Sequence, residues 1–557
     1  MVLPTAAILL LSLFICLRLR IDEKPLQDGI YPVFLIANLM LLALFLWLSR
    51  KDISGSFRKI ERKTWLIIGI ILILALCIRV FVAPHDHRIY YDEDIYLNIA
   101  QNIATQGKSC VCDYGTPKEC FSCIYNKQPY GSPAFYSIFF MIFGVSEKVA
   151  FAVSVATSII GILIIFLISY LLFKKEDIAL YSALAFSLIP IHILWSATQS
   201  LDIIFLFFSS LAILMLLLYI KKKSACLAFA FFLALSYASQ IRPESLLMAP
   251  VAAVFFIALD NDLAKTITSR KFLFALSIFL IMIFPTIQHT LNMRNEDWGA
   301  YNGEKFSLGS IKGNIIANSG FFFENTRFPL FFTIASIIGL IAGVFSFKRK
   351  VFPFLTWFLL FFFIFIPFYA GSFNYGQDVR FSLNLYPAVA IFSGLGFYFL
   401  SRIIKGLIEK NHIEKRVRAS EGAVLIVTLC IIAITIVPFL DKISYFGEES
   451  WESQFYHDFI VRNAPEIKNC IVVSHVTSLF ILNGVPSIQT HMAVDNETMK
   501  ELKSRYDCIL FDEGYWCVND PFHREGICKQ FKDQNSLSIY KQETKRDRTY
   551  TLYQVEN

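Results

Sequence analysis

Apolar runs of about 20 residues, the length that an α-helix needs to cross a bilayer, recur through roughly the first four-fifths of the chain. Of the 557 residues, 56% are hydrophobic and only 17% are charged, a balance that a water-soluble enzyme of this size would rarely show. The pattern predicts an α-helical polytopic membrane protein that is integral to the membrane and surrounded by its lipids.

The apolar runs predict about thirteen transmembrane helices. A further run, Ala134–Phe143, is too short to cross the bilayer, so it is expected to lie along the membrane surface or to dip into it. The predicted spans are Leu3–Leu17, Tyr31–Leu48, Thr64–Val82, Val149–Phe173, Ile178–Leu194, Ile203–Ile220, Ala225–Tyr237, Leu246–Leu259, Phe272–Thr290, Pro329–Phe347, Val351–Tyr369, Leu383–Leu400 and Ala423–Phe439.

The lysines and arginines concentrate in short loops between the apolar runs, and with this helix count the loops all fall on one face. Such loops stay on the cytoplasmic side, so the formal charge of +7 is a topology signal and predicts no nucleic-acid partner. The opposite, non-cytoplasmic face is then expected to carry an acidic segment near residue 92 and the C-terminal part of the chain. We expect this orientation in the plasma membrane. The basic loops are Arg50–Lys63, Lys174–Lys175, Lys221–Lys223, Lys348–Lys350 and Arg402–Arg418.

Three parts of the chain are predicted from the change in composition. Residues 1–63 hold two N-terminal helices and a basic cytoplasmic loop, and residues 64–440 form the main transmembrane domain with an outer loop at 84–145. Residues 441–557 read as a small soluble α/β domain, because "NCIVVSH", "YDCILFDE", "SLSIYKQ" and "YTLYQVE" have the pattern of short strands. No glycine-rich phosphate loop accompanies these strands, so no nucleotide is assigned to them.

Eight cysteines lie outside the apolar runs, four in the outer loop and four in the C-terminal domain. The spacing in "CVCDYGTPKECFSC" would allow a tetrahedral zinc site, but an oxidising outer face favours disulfides. The same reasoning applies to the C-terminal group. The two groups are Cys110, Cys112, Cys120 and Cys123, and Cys470, Cys508, Cys517 and Cys528.

The segment "RIYYDEDIYLNIAQ" places Asp92, Glu93 and Asp94 in a row where a long apolar run has just ended. One carboxylate has a structural explanation, with Asp92 as the N-cap of a helix that runs to about Thr105 and is closed by Gly107. Capping does not need three carboxylates, and acids at the edge of an apolar slab are costly unless they are solvated or paired. A functional site is therefore indicated.

The longer stretch "YDEDIYLNIAQNIATQG" resembles the first outer loop of the GT-C glycosyltransferases, in particular the protein mannosyltransferase, aminoarabinose transferase and RgtA-like families. Asp94 stands where the family usually has alanine. The residues that match the family pattern are Asp92, Glu93, Tyr96, Ala100 and Gly107.

Three later segments are similar to further motifs of these families, in the same order. They are "NKQPYGSPAFYSIFFMIFG" with Lys127, "SATQSLDIIFLFFSSLAILMLLL" with Asp202, and "RFSLNLYPAVAIFSGLG" with Arg380. The resemblance implies a GT-C-like membrane glycosyltransferase, a hexosyl or pentosyl transferase that uses a polyprenyl-phosphate donor such as dolichyl phosphomannose. It implies transfer to an acceptor outside the cytoplasm, with inversion at C1.

This chemistry needs a base for the acceptor hydroxyl and cations for the departing phosphate. By analogy with the family, Asp92 is the predicted base, and Glu93 is either a second candidate or a residue that orients the acceptor or a cation. Arg380 and Arg242 suit phosphate, because a guanidinium can bind two oxygens at once. The other predicted substrate-binding residues are Asp94, Tyr96, Lys127, Asp202 and Glu244.

Several alternatives remain open at this point. Arg242 can instead be an interfacial arginine that reaches lipid headgroups, and Asp202 can either pair with a basic residue or face the sugar. A divalent cation such as Mg²⁺ or Mn²⁺ could bridge carboxylates and phosphate, or arginines could suffice, so the metal is unassigned. The acceptor can be a protein, a lipid or a glycan. A secondary transporter is the alternative class, although no internal duplication supports it.

Overall fold

The computed structural model describes residues 18, 21–124, 127–295, 304–324, 328–374, 376–410, 450–514, 517 and 525–556. The predicted spans Leu3–Leu17 and Ala423–Phe439 lie outside the described residues. Every predicted span between residues 31 and 400 is helical over most of its length. The prediction of an α-helical polytopic membrane protein is therefore confirmed.

The strands occur in two regions of the chain, the outer loop and the C-terminal domain, and the remaining elements are helices. The helices are α1 (Glu23–Leu48), α2 (Arg50–Phe57), α3 (Arg62–Phe81), α4 (Tyr90–Gln106), α5 (Gly131–Phe143), α6 (Glu147–Phe173), α7 (Glu176–Leu188), α8 (Pro190–Ser196), α9 (Leu201–Lys222), α10 (Ala225–Ile241), α11 (Met248–Leu259), α12 (Leu263–Ile267), α13 (Arg270–Asn292), α14 (Leu308–Phe321), α15 (Leu330–Ile364), α16 (Tyr386–Lys410), α17 (Trp451–Ile467), α18 (Thr477–Leu482), α19 (Thr490–Ala493), α20 (Asn496–Arg505) and α21 (Glu525–Gln534). The strands are β1 (Val111–Gly115), β2 (Cys120–Ile124), β3 (Ile471–Ser474), β4 (Ser487–Gln489), β5 (Ile509–Glu513), β6 (Leu537–Lys545) and β7 (Arg548–Val555).

Within the described part of the chain, 7 helices are long and apolar enough to cross a membrane, or up to 8 if one bent pair counts as a single span. The α10 and α11 regions, which were among the predicted spans, form shorter apolar helices. The two spans predicted between residues 329 and 369 are joined in α15, which is kinked at Phe347.

The helix α9 lies at the centre of the bundle, because 89% of its most apolar stretch is buried, against 28% for α3. It is apolar on all sides, as a helix surrounded by other helices must be, and it packs against α6 and α10. In α3, by contrast, apolar side chains such as Leu66 and Ile73 are exposed, so this helix faces lipid. α15 and α16 pack side by side at another part of the bundle.

The predicted span Ile178–Leu194 is broken into α7 and α8, which are bent by 63°. The reason is Pro190, which has no N–H to continue the helix. The break leaves carbonyl groups of α7 without helical partners, and Arg79 of α3 donates from Nη1 to the Ser187 carbonyl at 3.2 Å. Nη2 of Arg79 also lies 3.0 Å from Nδ1 of His192, a buried residue that helps to hold the break.

We expect the substitution Arg79→Met to lower the free energy of unfolding by about 3 kcal/mol, because it leaves buried acceptors at the helix break unpaired. The measurement is thermal or denaturant unfolding of the purified protein in detergent. Arg58→Met, at an exposed arginine of the same region of sequence, is the matched control and should change the stability little. Equal stability of both variants would contradict this role for Arg79.

The strands form a single sheet in the order β2-β1-β4-β3-β5-β7-β6. β3 is parallel to β4 and β5, whereas β7 is antiparallel to β5 and β6. The four predicted C-terminal strands correspond to β3, β5, β6 and β7, so the α/β domain is confirmed. The outer-loop hairpin of β1 and β2 was not predicted, and it joins the sheet through antiparallel pairing of β1 with β4.

The cysteines of both groups form disulfides, as the oxidising-face prediction favoured. The hairpin is also fastened to the C-terminal domain by Thr477, whose hydroxyl donates to the Cys112 carbonyl at 2.7 Å. The outer-loop hairpin, which follows α4, and the C-terminal domain are thus one structural unit. The disulfides are Cys110–Cys123, Cys112–Cys120, Cys470–Cys508 and Cys517–Cys528.

Candidate active site

The acidic segment forms the first turn of α4, but its cap differs from the one predicted. Ile89 is the N-cap residue, and Asp92 lies inside the first turn. The capping role falls to Glu93, whose Oε1 accepts the backbone N–H groups of Arg88 at 3.0 Å and Ile89 at 3.2 Å. As predicted, Gly107 ends the helix, with φ at 71°.

Glu93 is completely buried, and its second oxygen accepts the backbone N–H of Gln199 at 3.1 Å. The carboxylate thus links the start of α4 to the loop that precedes α9. Because backbone donors take up both oxygens, Glu93 braces the start of α4 within the protein.

Asp92 is held by residues from two distant parts of the chain. Gln128 donates from Nε2 to Asp92 Oδ1 at 2.8 Å and accepts from the Tyr96 hydroxyl at 3.1 Å. Arg380 brings its Nη2 to 4.0 Å from Asp92 Oδ2. The side chain of Asp92 is 27% exposed, so it is positioned and still accessible. Sequence reasoning missed Gln128, since a neutral amide carries no titratable signal.

The pKa of Asp92 lies above its ordinary value. Burial is the main cause, while the positive charges of Arg380 and Lys127 and the hydrogen bond from Gln128 oppose it. A carboxylate with a raised pKa is a stronger base than an exposed one, yet the nearby cations favour its ionised form. Lys127 thus acts on Asp92 through its charge.

Arg242 is bound by two carboxylates. Its Nη1 pairs with Asp202, and its Nε lies 2.5 Å from Oε1 of Glu244. Asp202 therefore has the pairing role that was one of its two predicted alternatives. The guanidinium groups of Arg242 and Arg380 lie 5.1 Å and 5.3 Å from the centre of the Phe381 ring, so this ring contacts both cations.

Several buried polar atoms around these residues make no hydrogen bond to any described part of the chain. Buried polar groups in proteins nearly always have a partner, so these atoms indicate a place where water or a polar ligand binds. One of them is Nη1 of Arg380, which is the part of the guanidinium that does not face Asp92. The atoms are Nη1 of Arg380, Oδ2 of Asp202, and both side-chain polar atoms of Gln199 and of Asn384.

Asp94 is separated from this group. It lies on α4 two residues after Asp92, but its Oδ1 is 3.8 Å from Nδ1 of His87, on the side of the C-terminal domain. Of the predicted site residues, Asp92, Tyr96 and Arg380 thus lie together. Arg242 is paired with Asp202 and Glu244. Asp94 instead faces His87.

Solved structures of other proteins share the fold of this chain. The ArnT protein of Cupriavidus metallidurans in its apo state is 14% identical, with 87% of this chain and 97% of that chain covered and a TM-score of 0.55. The same protein bound to undecaprenyl phosphate is 12% identical, with 89% of this chain and 98% of that chain covered and a TM-score of 0.53. The oligosaccharyltransferase of Archaeoglobus fulgidus, tethered to an acceptor peptide, is 11% identical, with 82% of this chain and 70% of that chain covered and a TM-score of 0.50. The chain therefore has the fold of the GT-C superfamily, as the sequence motifs predicted.

Residues 127–289 match the family model described as dolichyl-phosphate-mannose-protein mannosyltransferase. The matched segment includes Lys127, Asp202 and Arg242, but it does not reach Asp92 or Arg380. No curated protein sequence gives a significant match to the chain. Over the segment that it covers, the family model is that of a mannosyltransferase, which supports the predicted enzyme class and favours it over the secondary transporter.

Proposed function

We propose that the protein transfers a sugar from a polyprenyl-phosphate-linked donor to a hydroxyl of an acceptor on the non-cytoplasmic side of the membrane. The observation that carries the proposal is the approach of Asp92 and Arg380 to 4.0 Å within a GT-C fold. A carboxylate and a guanidinium at this separation fit the two ends of the reaction, which are the acceptor oxygen that loses a proton and the phosphate that gains a charge.

In the proposed step, Asp92 accepts the proton of the acceptor hydroxyl as its oxygen attacks C1 of the sugar. The bond between C1 and the phosphate oxygen breaks, and the electron pair leaves with the lipid phosphate. Attack from the face opposite the leaving group inverts C1. The raised pKa of Asp92 suits this role, since a general base works best when its pKa approaches the working pH.

Arg380 is the residue proposed to receive the phosphate. Its Nη1 is buried and makes no hydrogen bond within the described residues, so a donor group is available at the site. Arg242, by contrast, is already bound by the carboxylates of Asp202 and Glu244. Arginine suits this position because its fork of donors matches phosphate oxygens.

The orientation rests on two independent features. The basic loops fall on one face under the predicted helix count, which places the acidic segment on the opposite face. The four disulfides lie in the unit that packs beside that segment, and disulfides persist in oxidising compartments. Both features support an active site on the non-cytoplasmic side, here of the plasma membrane.

The proposal is tested with membranes that contain the protein and a radiolabelled polyprenyl phosphosugar. We expect label to appear in a protein, lipid or glycan acceptor, and we expect none from the matching nucleotide sugar when lipid-sugar synthesis is blocked. Direct use of the nucleotide sugar would contradict the proposal. Asp547→Asn, at an exposed aspartate of the C-terminal domain, is the control for the variant Asp92→Asn, because it shows whether the loss of any carboxylate lowers transfer.

A further inference from the structure

A second group of titratable side chains lies where the C-terminal domain meets the transmembrane part, and the proposed transfer reaction does not use it. It consists of His87, Asp94, Glu147 and His457, and is called the inter-domain cluster below. One ligand atom of each residue lies within 4.8 Å of the others. The first three residues belong to the segment before α4, to α4 and to α6, whereas His457 belongs to α17 of the C-terminal domain.

The cluster is buried and its hydrogen bonding is incomplete. His87 is 3% exposed, and neither of its ring nitrogens makes a hydrogen bond to the described residues. The nearest carboxylate oxygens, on Glu93, Asp94 and Glu147, lie 3.7–3.9 Å away. Oδ1 of Asp94 and Nδ1 of His457 are likewise buried without a hydrogen bond. A buried imidazole that faces carboxylates just beyond hydrogen-bond distance is unexplained by packing alone.

The backbone around His87 is already fixed, so the gap in side-chain bonding is not a sign of a loose segment. Gln454 of α17 accepts the His87 N–H at 3.1 Å, and the Ser453 hydroxyl donates to the His87 carbonyl at 2.8 Å. The rings of His87 and His457 are stacked with centroids 3.9 Å apart, and His457 Nε2 lies 2.8 Å from Oε1 of Glu147. The four side chains are therefore held around a common centre.

We propose that the inter-domain cluster binds one divalent transition-metal ion, best matched to Zn²⁺, which fastens the C-terminal domain to the helix that carries Asp92. Two imidazole nitrogens and two carboxylate oxygens make a set that zinc accepts in tetrahedral geometry. Bonds of about 2.0–2.2 Å give ligand separations of about 3.4 Å, so the widest pair needs to close by about 1.4 Å. The two carboxylates also balance the charge of the ion.

A site with four protein ligands has no open position, which is typical of a structural metal. Glu93 lies beside it, with Oε2 3.7 Å from Nδ1 of His87, and so connects the cluster to the cap of α4. Asp94 is two residues from Asp92 on the same helix. The ion would thus hold α4 in place from the side opposite the substrate, without touching the reacting atoms.

The experiment uses the full-length protein purified in detergent without reductant, stripped with EDTA and then given Zn²⁺. We expect about one bound zinc ion per chain after gel filtration and a higher unfolding temperature on adding zinc to the wild type. His457→Asn and Glu147→Gln should weaken zinc binding by more than about 10-fold and abolish the rise in unfolding temperature. His491→Ala, at an exposed histidine of the same domain, is the matched control and should behave as the wild type.

Cobalt distinguishes this cluster from the cysteines. Co²⁺ bound by nitrogen and oxygen gives visible d–d bands without a thiolate charge-transfer band, and that spectrum is expected. The proposal is overturned if the stripped wild type binds no zinc and gains no stability from it. It is also overturned if both cluster variants bind zinc as the wild type does, or if cobalt shows thiolate ligation. Sugar transfer by the untreated wild type is measured separately, so failure here leaves the proposed transferase function standing.

Discussion

Asp92→Asn is expected to lower kcat for sugar transfer by about 10²–10⁴-fold, because an asparagine amide cannot accept the proton of the acceptor hydroxyl. Asparagine has nearly the same size and can still bond to Gln128, so the fold and the donor site should persist. The measurement is initial-rate transfer from a radiolabelled polyprenyl phosphosugar by purified protein. Unchanged kcat in a correctly folded Asp92→Asn variant would remove Asp92 as the base.

The pH dependence of the wild type supplies a second check on the same residue. Asp92 works as a base only when it is ionised, so kcat/KM, which reports the pKa of the free enzyme, should fall as the pH falls through that pKa. Since burial raises this pKa above the ordinary aspartate value, the acid limb should lie at a higher pH than for an exposed carboxylate. An acid limb at the ordinary value would contradict the raised pKa.

Arg380→Gln is expected to lower kcat by about 10²–10³-fold, the usual cost of removing one donor to a developing anion. Arg380→Lys should recover only part of the loss, because an ammonium cannot hold two phosphate oxygens in a fork. The unfolding temperature should change little, since Arg380 makes only the 4.0 Å contact with Asp92 among the ion pairs of the described residues.

Arg242→Gln should lower the stability of the fold more than Arg380→Gln does. The substitution leaves Asp202 and Glu244 buried without their counter-charge, so we expect a loss of about 3–5 kcal/mol in the free energy of unfolding. The comparison of kcat and unfolding for the two arginine variants separates a phosphate ligand from a structural cation. Equal effects of both substitutions on kcat and on unfolding would contradict the division of roles.

The sequence was a good guide to the membrane helices, because a bilayer demands long apolar segments and little else that is local. It was a weaker guide where one residue decides the outcome, as at Pro190, which turns one predicted span into α7 and α8. The hairpin of β1 and β2 was missed altogether. Its pairing with β4 joins residues 114 and 488, and such long-range pairing leaves no local pattern.

In the candidate site too, some features could be predicted from the local sequence and others depend on distant parts of the chain. The acidic segment stood out because charged residues at the edge of an apolar slab need a reason, whereas the choice of Asp92 and Arg380 came from the resemblance to the GT-C families. The role of Glu93 as a brace could not be read in this way, since it depends on the backbone N–H of Gln199, which lies far along the chain. Asp94 was placed with the substrate because it follows Asp92 in sequence, whereas the turn of α4 directs it toward His87.

The central claim is most directly tested by the stoichiometry and stereochemistry of a single reaction. Purified protein is given a polyprenyl phosphosugar of known anomeric configuration together with an acceptor, and both products are quantified. The account predicts one polyprenyl phosphate released for each glycoside formed, with the configuration at C1 inverted. Sugar that stays attached to its lipid, or a product that retains the configuration of the donor, would contradict it.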